Sequence, residues 1–213
     1  MSGISRRAMM QWLAAAPAIG AIEWSSAQTA LAAEHLKALT DPGAGGAPYT
    51  PKFFNHHEWG TVVVLVDYVI PRDERSGSAT DAKVPEFMDW IMADSNTSDA
   101  TRTAIRGGLA WLDLACEDRF GKPFTACRDV ERRQLLDDIA WPGKAKPEYS
   151  QGVAFFSRFR DLTASGFFSS AMGWKDVQYL GNVAVPVWNG CPPAALEKLG
   201  VNDAMMDARP TKK

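Results

Sequence analysis

From residue 53 onward, apolar positions recur every three to four residues in blocks separated by Pro, Gly and polar clusters, which is the pattern of amphipathic helices. The first block has Asn55 and Glu58 placed as a capping box, then Trp59, Val62, Val63, Val66, Val69 and Ile70 on one face, and Pro71 as a stop. The β-branched run Val62 to Val66 also fits a buried strand. Pro85 opens a second helix with Phe87, Met88, Ile91 and Met92 along one side. The third has the most regular spacing, Ile105, Leu109, Leu112, Cys116 and Phe120, closed by Gly121-Lys122-Pro123. Asp129 is placed to cap a fourth that carries Leu135, Leu136 and Ile139 and stops before Trp141-Pro142. A fifth runs from Ser150 with Phe155, Phe156, Phe159, Leu162 and Thr163 inward, its far end blurred by Gly166 and Gly173.

These blocks predict an all-α fold, a single compact helical domain over residues 53–200. Between Arg72 and Thr80 the chain is polar and charged, a surface loop. Gly181 to Gly200, with Pro186, Trp188, Gly190, Pro192 and Pro193, reads as an irregular segment followed by a short helix around Leu196 and Leu199. Residues 201–213 form a polar tail without apolar period.

Upstream the pattern is different. Arg6 and Arg7 precede a mild apolar run rich in Ala, Gln11 to Ile22, which is interrupted by Pro17 and Gly20 and is too short to span a bilayer. Small residues at Ala30 and Ala32 then complete a secretory signal over residues 1–32, with cleavage expected after Ala32. Adjacent arginines in this position mark the twin-arginine route, which carries folded proteins, so a periplasmic location is expected. Residues 33–52, poor in large apolar side chains and containing Pro42 to Pro48 with three glycines, read as a linker.

Composition narrows the function classes. Apolar residues make up 46% and charged residues 23%, enough for a self-sufficient core. The formal charge is −2, and removing Arg6, Arg7 and Glu23 with the leader leaves −3, so no nucleic-acid partner is implied. No dinucleotide fingerprint, phosphate loop or nucleophile elbow is present, and the three histidines all lie near the N-terminus. His56, His57 and Glu58 carry metal-binding chemistry, but adjacent histidines at a helix start diverge by about a hundred degrees. A polar helix start is the simpler account. No catalytic, cofactor-binding or metal-ligating residue is therefore assigned, and an independent metal enzyme built on these three residues, or a plain binding protein, stand as alternatives. Most Asp and Glu are expected on solvated helix faces.

Cys116, Cys127 and Cys191 lack the spacing of a zinc, haem or iron–sulfur site. Two readings stand for the first two: a short-loop disulfide contributing about 2–3 kcal/mol, or a buried free thiol on the Cys116 face. What the chain offers most is contact area, with 8 Trp, 10 Phe and 8 Met, residue types that concentrate at interfaces as well as in cores.

Five strings, Val69 to Thr80 (VIPRDERSGSAT), Val84 to Phe87 (VPEF), Phe120 to Phe124 (FGKPF), Phe155 to Thr163 (FFSRFRDLT) and Gly190 to Pro193 (GCPP), together resemble the gluconate 2-dehydrogenase subunit 3 family. The likeness runs from about Phe53 to Gly200. It implies a non-catalytic small subunit partnered by a FAD-containing large subunit of the glucose-methanol-choline type, in some complexes with a multihaem cytochrome c subunit as electron outlet. It also implies that FAD sits on the partner, that the twin-arginine translocase moves both chains together, and that the complex can associate with the membrane. Arg72, Asp73, Glu74 and Arg75 of the charged loop, with Trp188 and Cys191 of the irregular segment, are the partner-interface residues this resemblance suggests. Ala8-Met9-Met10 after the arginines, and the pair Cys116 and Cys127, depart from the family pattern.

Overall fold

The computed structural model describes residues 30–32, 34, 49–179, 181 and 190–200. Helices α1 (His56–Val69), α2 (Val84–Ala93), α3 (Asp99–Phe120), α4 (Asp129–Ile139), α5 (Ser150–Phe168), α6 (Ala171–Asp176) and α7 (Pro193–Leu199) follow in order, with 3₁₀ turns at Phe124–Ala126 and Pro147–Tyr149. Among the described residues there is no strand, so the all-α expectation holds and the strand reading of Val62 to Val66 does not. The chain divides into one unit through Tyr179 and a second from Leu180. Of the second, the described part is chiefly α7, closed by Gly200 in the left-handed region, as expected around Leu196 and Leu199.

Most of these helices begin where a side chain satisfies one of the first amides or a proline removes one, α5 being the exception. Asn55 and Glu58 form the expected reciprocal box at α1, the Asn55 Oδ1 accepting from the Glu58 amide at 2.9 Å and Glu58 Oε2 from the Asn55 amide at 2.9 Å. Ser98 caps α3 and Ser170 caps α6. At α4 the cap differs from the sequence reading. Arg128 is the N-cap residue and Asp129 is the first helical one, because Glu131 reaches back to the Arg128 amide at 2.7 Å. Asp129 instead accepts from the Tyr68 hydroxyl at 2.7 Å and from Arg133 at 2.8 Å, tying α4 to α1.

Helix α5 is the hub, packing on α3, α2, α1 and α4. Its Phe155, Phe156, Phe159, Leu162 and Thr163 are all buried, as their spacing predicts. The helix runs straight through Gly166 to Phe168, and only then does a separate turn begin at Ser170. The crossing of α3 and α5 is close because each helix offers the other a glycine. A Cβ on Gly108 would lie 1.9 Å from the Phe155 ring, and one on Gly152 would lie 2.2 Å from Trp111. Aromatic rings from both helices thus seat directly on backbone, bringing the axes nearer than side-chain-on-side-chain packing allows.

The buried cluster draws on every helix of the first unit from α1 to α5, with Phe87, Phe124, Phe159 and Phe167 fully enclosed. Not every buried side chain is apolar. Asp89 of α2 is fully enclosed and accepts four hydrogen bonds from the preceding arm: the Tyr49 hydroxyl at 2.8 Å and the amides of Lys52, Phe53 and Phe54 at 2.8, 2.9 and 3.0 Å. Asp89 is an exception to the expectation that most acids lie on solvated faces, as are Glu86 and Glu131, each 9% exposed. Through Asp89 the chain is fastened from Tyr49, within the stretch that reads as linker.

Candidate functional site

The charged loop after α1 is held in one shape by its own carboxylates. Asp73 Oδ1 accepts the Arg75 and Ser76 amides at 2.8 and 2.9 Å, and the Asp73 amide donates to the Ser76 carbonyl at 3.1 Å, closing a tight turn. Asp81 accepts from the Ser78 amide at 2.7 Å and from Arg72 at 2.6 Å. The Ser78 amide, more than the Arg72 and Lys83 charges, holds the Asp81 carboxyl below the usual carboxylate range. Behind the loop, the Ala79 amide returns to the Ile70 carbonyl and the Thr80 amide to Asp67, so both ends are pinned to α1. Arg72, Asp73, Glu74 and Arg75 are all exposed on this frame.

Arg75 connects the loop to α6. Its guanidinium donates to the Asp176 carbonyl and stands 3.7 Å from the Asp176 carboxylate. Beside that contact are three exposed apolar side chains, Trp174, Val177 and Tyr179, with the Trp174 and Tyr179 rings edge to face at 5.7 Å. Sequence reasoning placed the loop but not its aromatic neighbours, which lie a hundred residues downstream. The signal available was Trp174 standing outside the apolar stripes of the flanking helices.

An open groove of about 420 Å³ on the same unit has a mixed lining, with Trp111, Leu114 and Ala115 of α3, Leu135 of α4 and Tyr149 beside the charged Asp118, Arg119 and Glu148. Leu114 is exposed, because it lies on the side of α3 opposite the stripe of Ile105, Leu109, Leu112 and Cys116.

The histidine pair does not converge. His57 Nε2 is 2.6 Å from Asp113 Oδ2, while Glu58 is engaged by the Asn55 cap and by Arg106 at 3.5 Å, and His56 is exposed. Among the described residues no group of three His, Cys, Asp or Glu is placed to hold a metal ion. Asp113 is a structural acceptor instead. Its second oxygen takes the Phe124 amide at 2.9 Å, so the His57–Asp113 pair fixes the turn after α3.

Of the other residues singled out in the sequence, Arg6, Arg7 and Trp188 lie outside the described residues. Ala30 is helical and exposed, whereas Ala32 is helical and fully buried in the core cluster. Cys191 is exposed in the second unit. Cys116 and Cys127 are both free thiols and both buried.

The surface of the first unit thus carries a charged loop pinned by its own hydrogen bonds, an adjoining aromatic patch and a groove of mixed lining. The family model for gluconate 2-dehydrogenase subunit 3 matches residues 56–190, and the chain belongs to that family. It is thus a small subunit of a dehydrogenase complex that contains other subunits. No curated protein and no solved structure matches the chain.

Proposed function

We propose that this chain is the non-catalytic small subunit of a periplasmic FAD-dependent dehydrogenase that oxidises a sugar, sugar acid or other alcohol. It stabilises the flavin subunit and carries it through twin-arginine export. The family match over residues 56–190 carries this reading. The Arg6-Arg7 leader supports the export half, because a folded flavoprotein without a signal of its own crosses only as a passenger. Hydride transfer from the alcohol to FAD takes place on the partner, and a multihaem cytochrome c is the candidate electron outlet. No helix among the described residues is long and apolar enough to cross a membrane.

Docking is assigned to the face formed by Arg72 to Arg75 with Trp174, Val177 and Tyr179. Trp, Tyr and Arg are the residue types that dominate binding energy at interfaces, and a loop already fixed in shape loses little entropy on docking. The deciding experiment co-expresses the chain with its flavin subunit and isolates the complex from periplasm. Co-purification is expected, and Trp174→Ala with Tyr179→Ala, two exposed side chains, should reduce recovery of the flavin subunit at least tenfold while leaving the fold intact. Replacing Arg6 and Arg7 by Lys should retain both proteins in the cytoplasm. A flavin subunit that still reaches the periplasm with that leader would falsify the passenger role.

A further inference from the structure

Helix α3 carries apolar side chains on two faces. One is the buried stripe of Ile105, Leu109, Leu112 and Cys116, and the other is Trp111, Leu114 and Ala115 along the open groove of about 420 Å³. The aromatic part of the groove is fixed by the fold. A Cβ on Gly152 would stand 2.2 Å from the Trp111 ring, which therefore rests on backbone, and Trp111 meets Tyr149 edge to face at 6.3 Å. Leu114, by contrast, is 62% exposed. A helix that packs on one side needs one apolar stripe, so the second is a surface for contact.

The charges beside it are unbalanced. Asp118, Arg119 and Glu148 line the groove, but the Arg119 guanidinium is already taken by Asp138 at 2.7 Å. Lys146 stands 3.8 Å from Glu148, with side chains 71% and 64% exposed, a pair that contributes little in water. Asp118 has no hydrogen-bonding or ionic partner among the described residues. It also stands in the last turn of α3, where the helix carbonyls present a negative potential that disfavours a carboxylate. The fold of this chain does not reward a negative charge at Asp118, whereas a cation brought from outside is attracted by the carboxylates and the helix end together.

We infer that the groove docks an extended segment of a partner chain that carries an apolar residue and, two positions away, an arginine or lysine. The spacing follows from element geometry. Leu114 and Asp118 are about 6 Å apart along α3 at 1.5 Å per residue, and residues i and i+2 of an extended chain, which share a side, are about 6.6 Å apart. The apolar side chain covers Leu114 and Trp111, and the cation reaches Asp118 and Glu148 beside the Tyr149 ring. Arginine suits the site best, since its planar guanidinium both pairs with a carboxylate and stacks on an aromatic ring. These residues are separate from the loop and aromatic patch assigned to the flavin subunit. That the partner belongs to the dehydrogenase complex rests on the proposed function, whereas the chemistry of the groove does not.

The probe is the peptide Ac-Gly-Leu-Ser-Arg-Gly-amide, with Ac-Gly-Leu-Ser-Glu-Gly-amide as its charge-reversed control, titrated into the full nitrogen-15-labelled chain. The indole N–H resonance of Trp111, identified by its loss in Trp111→Phe, reports occupancy. Expected are a saturable shift with a Kd on the order of 1 mM for the arginine peptide and binding at least about tenfold weaker for the glutamate peptide. Asp118→Asn and Leu114→Ser, both at exposed positions, should each weaken the arginine peptide about fivefold without lowering the melting temperature. No saturation by about 20 mM, equal binding of the two peptides, or an Asp118→Asn chain that binds as before overturns the inference. In the complex, the photo-crosslinker p-benzoylphenylalanine in place of Leu114 should attach to a partner peptide with the apolar and cationic residues two apart. Attachment to a second copy of this chain or to a segment without a cation, or no attachment in a complex that does co-purify, also overturns it. A flavin subunit that never co-purifies removes the proposed function instead, and the peptide titration then still decides the groove.

Discussion

Removing the Asp89 carboxylate is the most informative single change in the fold. Its two oxygens accept from Tyr49, Lys52, Phe53 and Phe54, three of these donors being backbone amides that no neighbouring side chain replaces. Hydrogen bonds to a charged acceptor contribute about 1.5–3 kcal/mol each when deleted singly, but they do not add, and donors near the surface can turn to water. The Phe54 amide is buried, and Phe54 itself is 4% exposed, so detaching the arm also uncovers an aromatic side chain worth about 1.5–3 kcal/mol of burial. Asp89→Ala is therefore expected to cost about 3–5 kcal/mol, a large part of the stability of a domain this size.

Asp89→Asn separates charge from shape. Its amide oxygen in the Oδ1 position keeps the Phe53 and Phe54 bonds, and its NH₂ in the Oδ2 position can donate to a rotated Tyr49 hydroxyl, which leaves the Lys52 amide opposed. The expected cost is about 1–2 kcal/mol. Urea unfolding followed by far-UV circular dichroism measures both variants, with midpoints expected to fall by about 1–2 M for Ala and by less than 1 M for Asn. Limited proteolysis of residues 49–54 gives the local readout. If Ala and Asn cost the same, or if the arm becomes cleavable while the midpoint stays put, Asp89 is only a local latch and the reasoning fails.

Adjacent glycines of α3 make a second test: Gly108→Ala should destabilise by about 2 kcal/mol or more through collision with Phe155, whereas Gly107→Ala, with nothing within 4 Å, should stabilise by about 0.5–1 kcal/mol in thermal melts. Glu131 is held down to about 2 by Arg128, Lys122 and the Arg128 amide. Its folded value lies below the unfolded carboxyl, so its contribution is complete above about pH 4.5 and is lost as pH falls toward 2. Melting temperature against pH should fall through that window, and Glu131→Gln should flatten this part of the profile; an unchanged slope would remove Glu131 as the cause. Tyr68→Phe, which breaks the bond to Asp129, should cost about 1 kcal/mol in urea unfolding and leave the first unit folded.

The helices were legible because burial alone dictates their spacing. Ile105, Leu109, Leu112 and Cys116 had to share a face, and Asn55 with Glu58 had to form a box, whatever they pack against. What stayed hidden depends on partners far along the chain. Asp89 reads as a solvated acid until the amides of residues 52–54 are folded onto it. Gly152 and Gly108 carry no signal in the sequence, because what they admit is an aromatic ring from the other helix. Gly166 misled in the same way, since it interrupts the pattern while the Phe87 ring, 2.8 Å from where a Cβ would stand, fills the gap. The loop after α1 was recognisable as exposed and charged, but its rigidity comes from Asp73 and Asp81 bonding backbone amides, which composition does not reveal.

That rigidity decides how the proposed docking face should work. Arg72 is paired with Asp81, Arg75 is bound to Asp176, and Asp73 is occupied by two amides, so three of the four loop charges are already answered within the chain. A loop neutralised in this way presents shape more than field, and long-range steering by it is weak. Binding energy must then come from desolvating Trp174, Val177 and Tyr179, with the loop excluding water around them. The two sources differ in their response to salt. Electrostatic association weakens steeply as ionic strength rises past the point where the screening length falls below about 10 Å, whereas apolar burial does not. Recovery of the flavin subunit on the immobilised chain should change less than about threefold between roughly 50 mM and 500 mM salt, and Trp174→Ala should cost far more than Glu74→Gln. Loss of binding in high salt with Trp174→Ala unaffected would place the energy in the charges and move the docking face elsewhere on the unit.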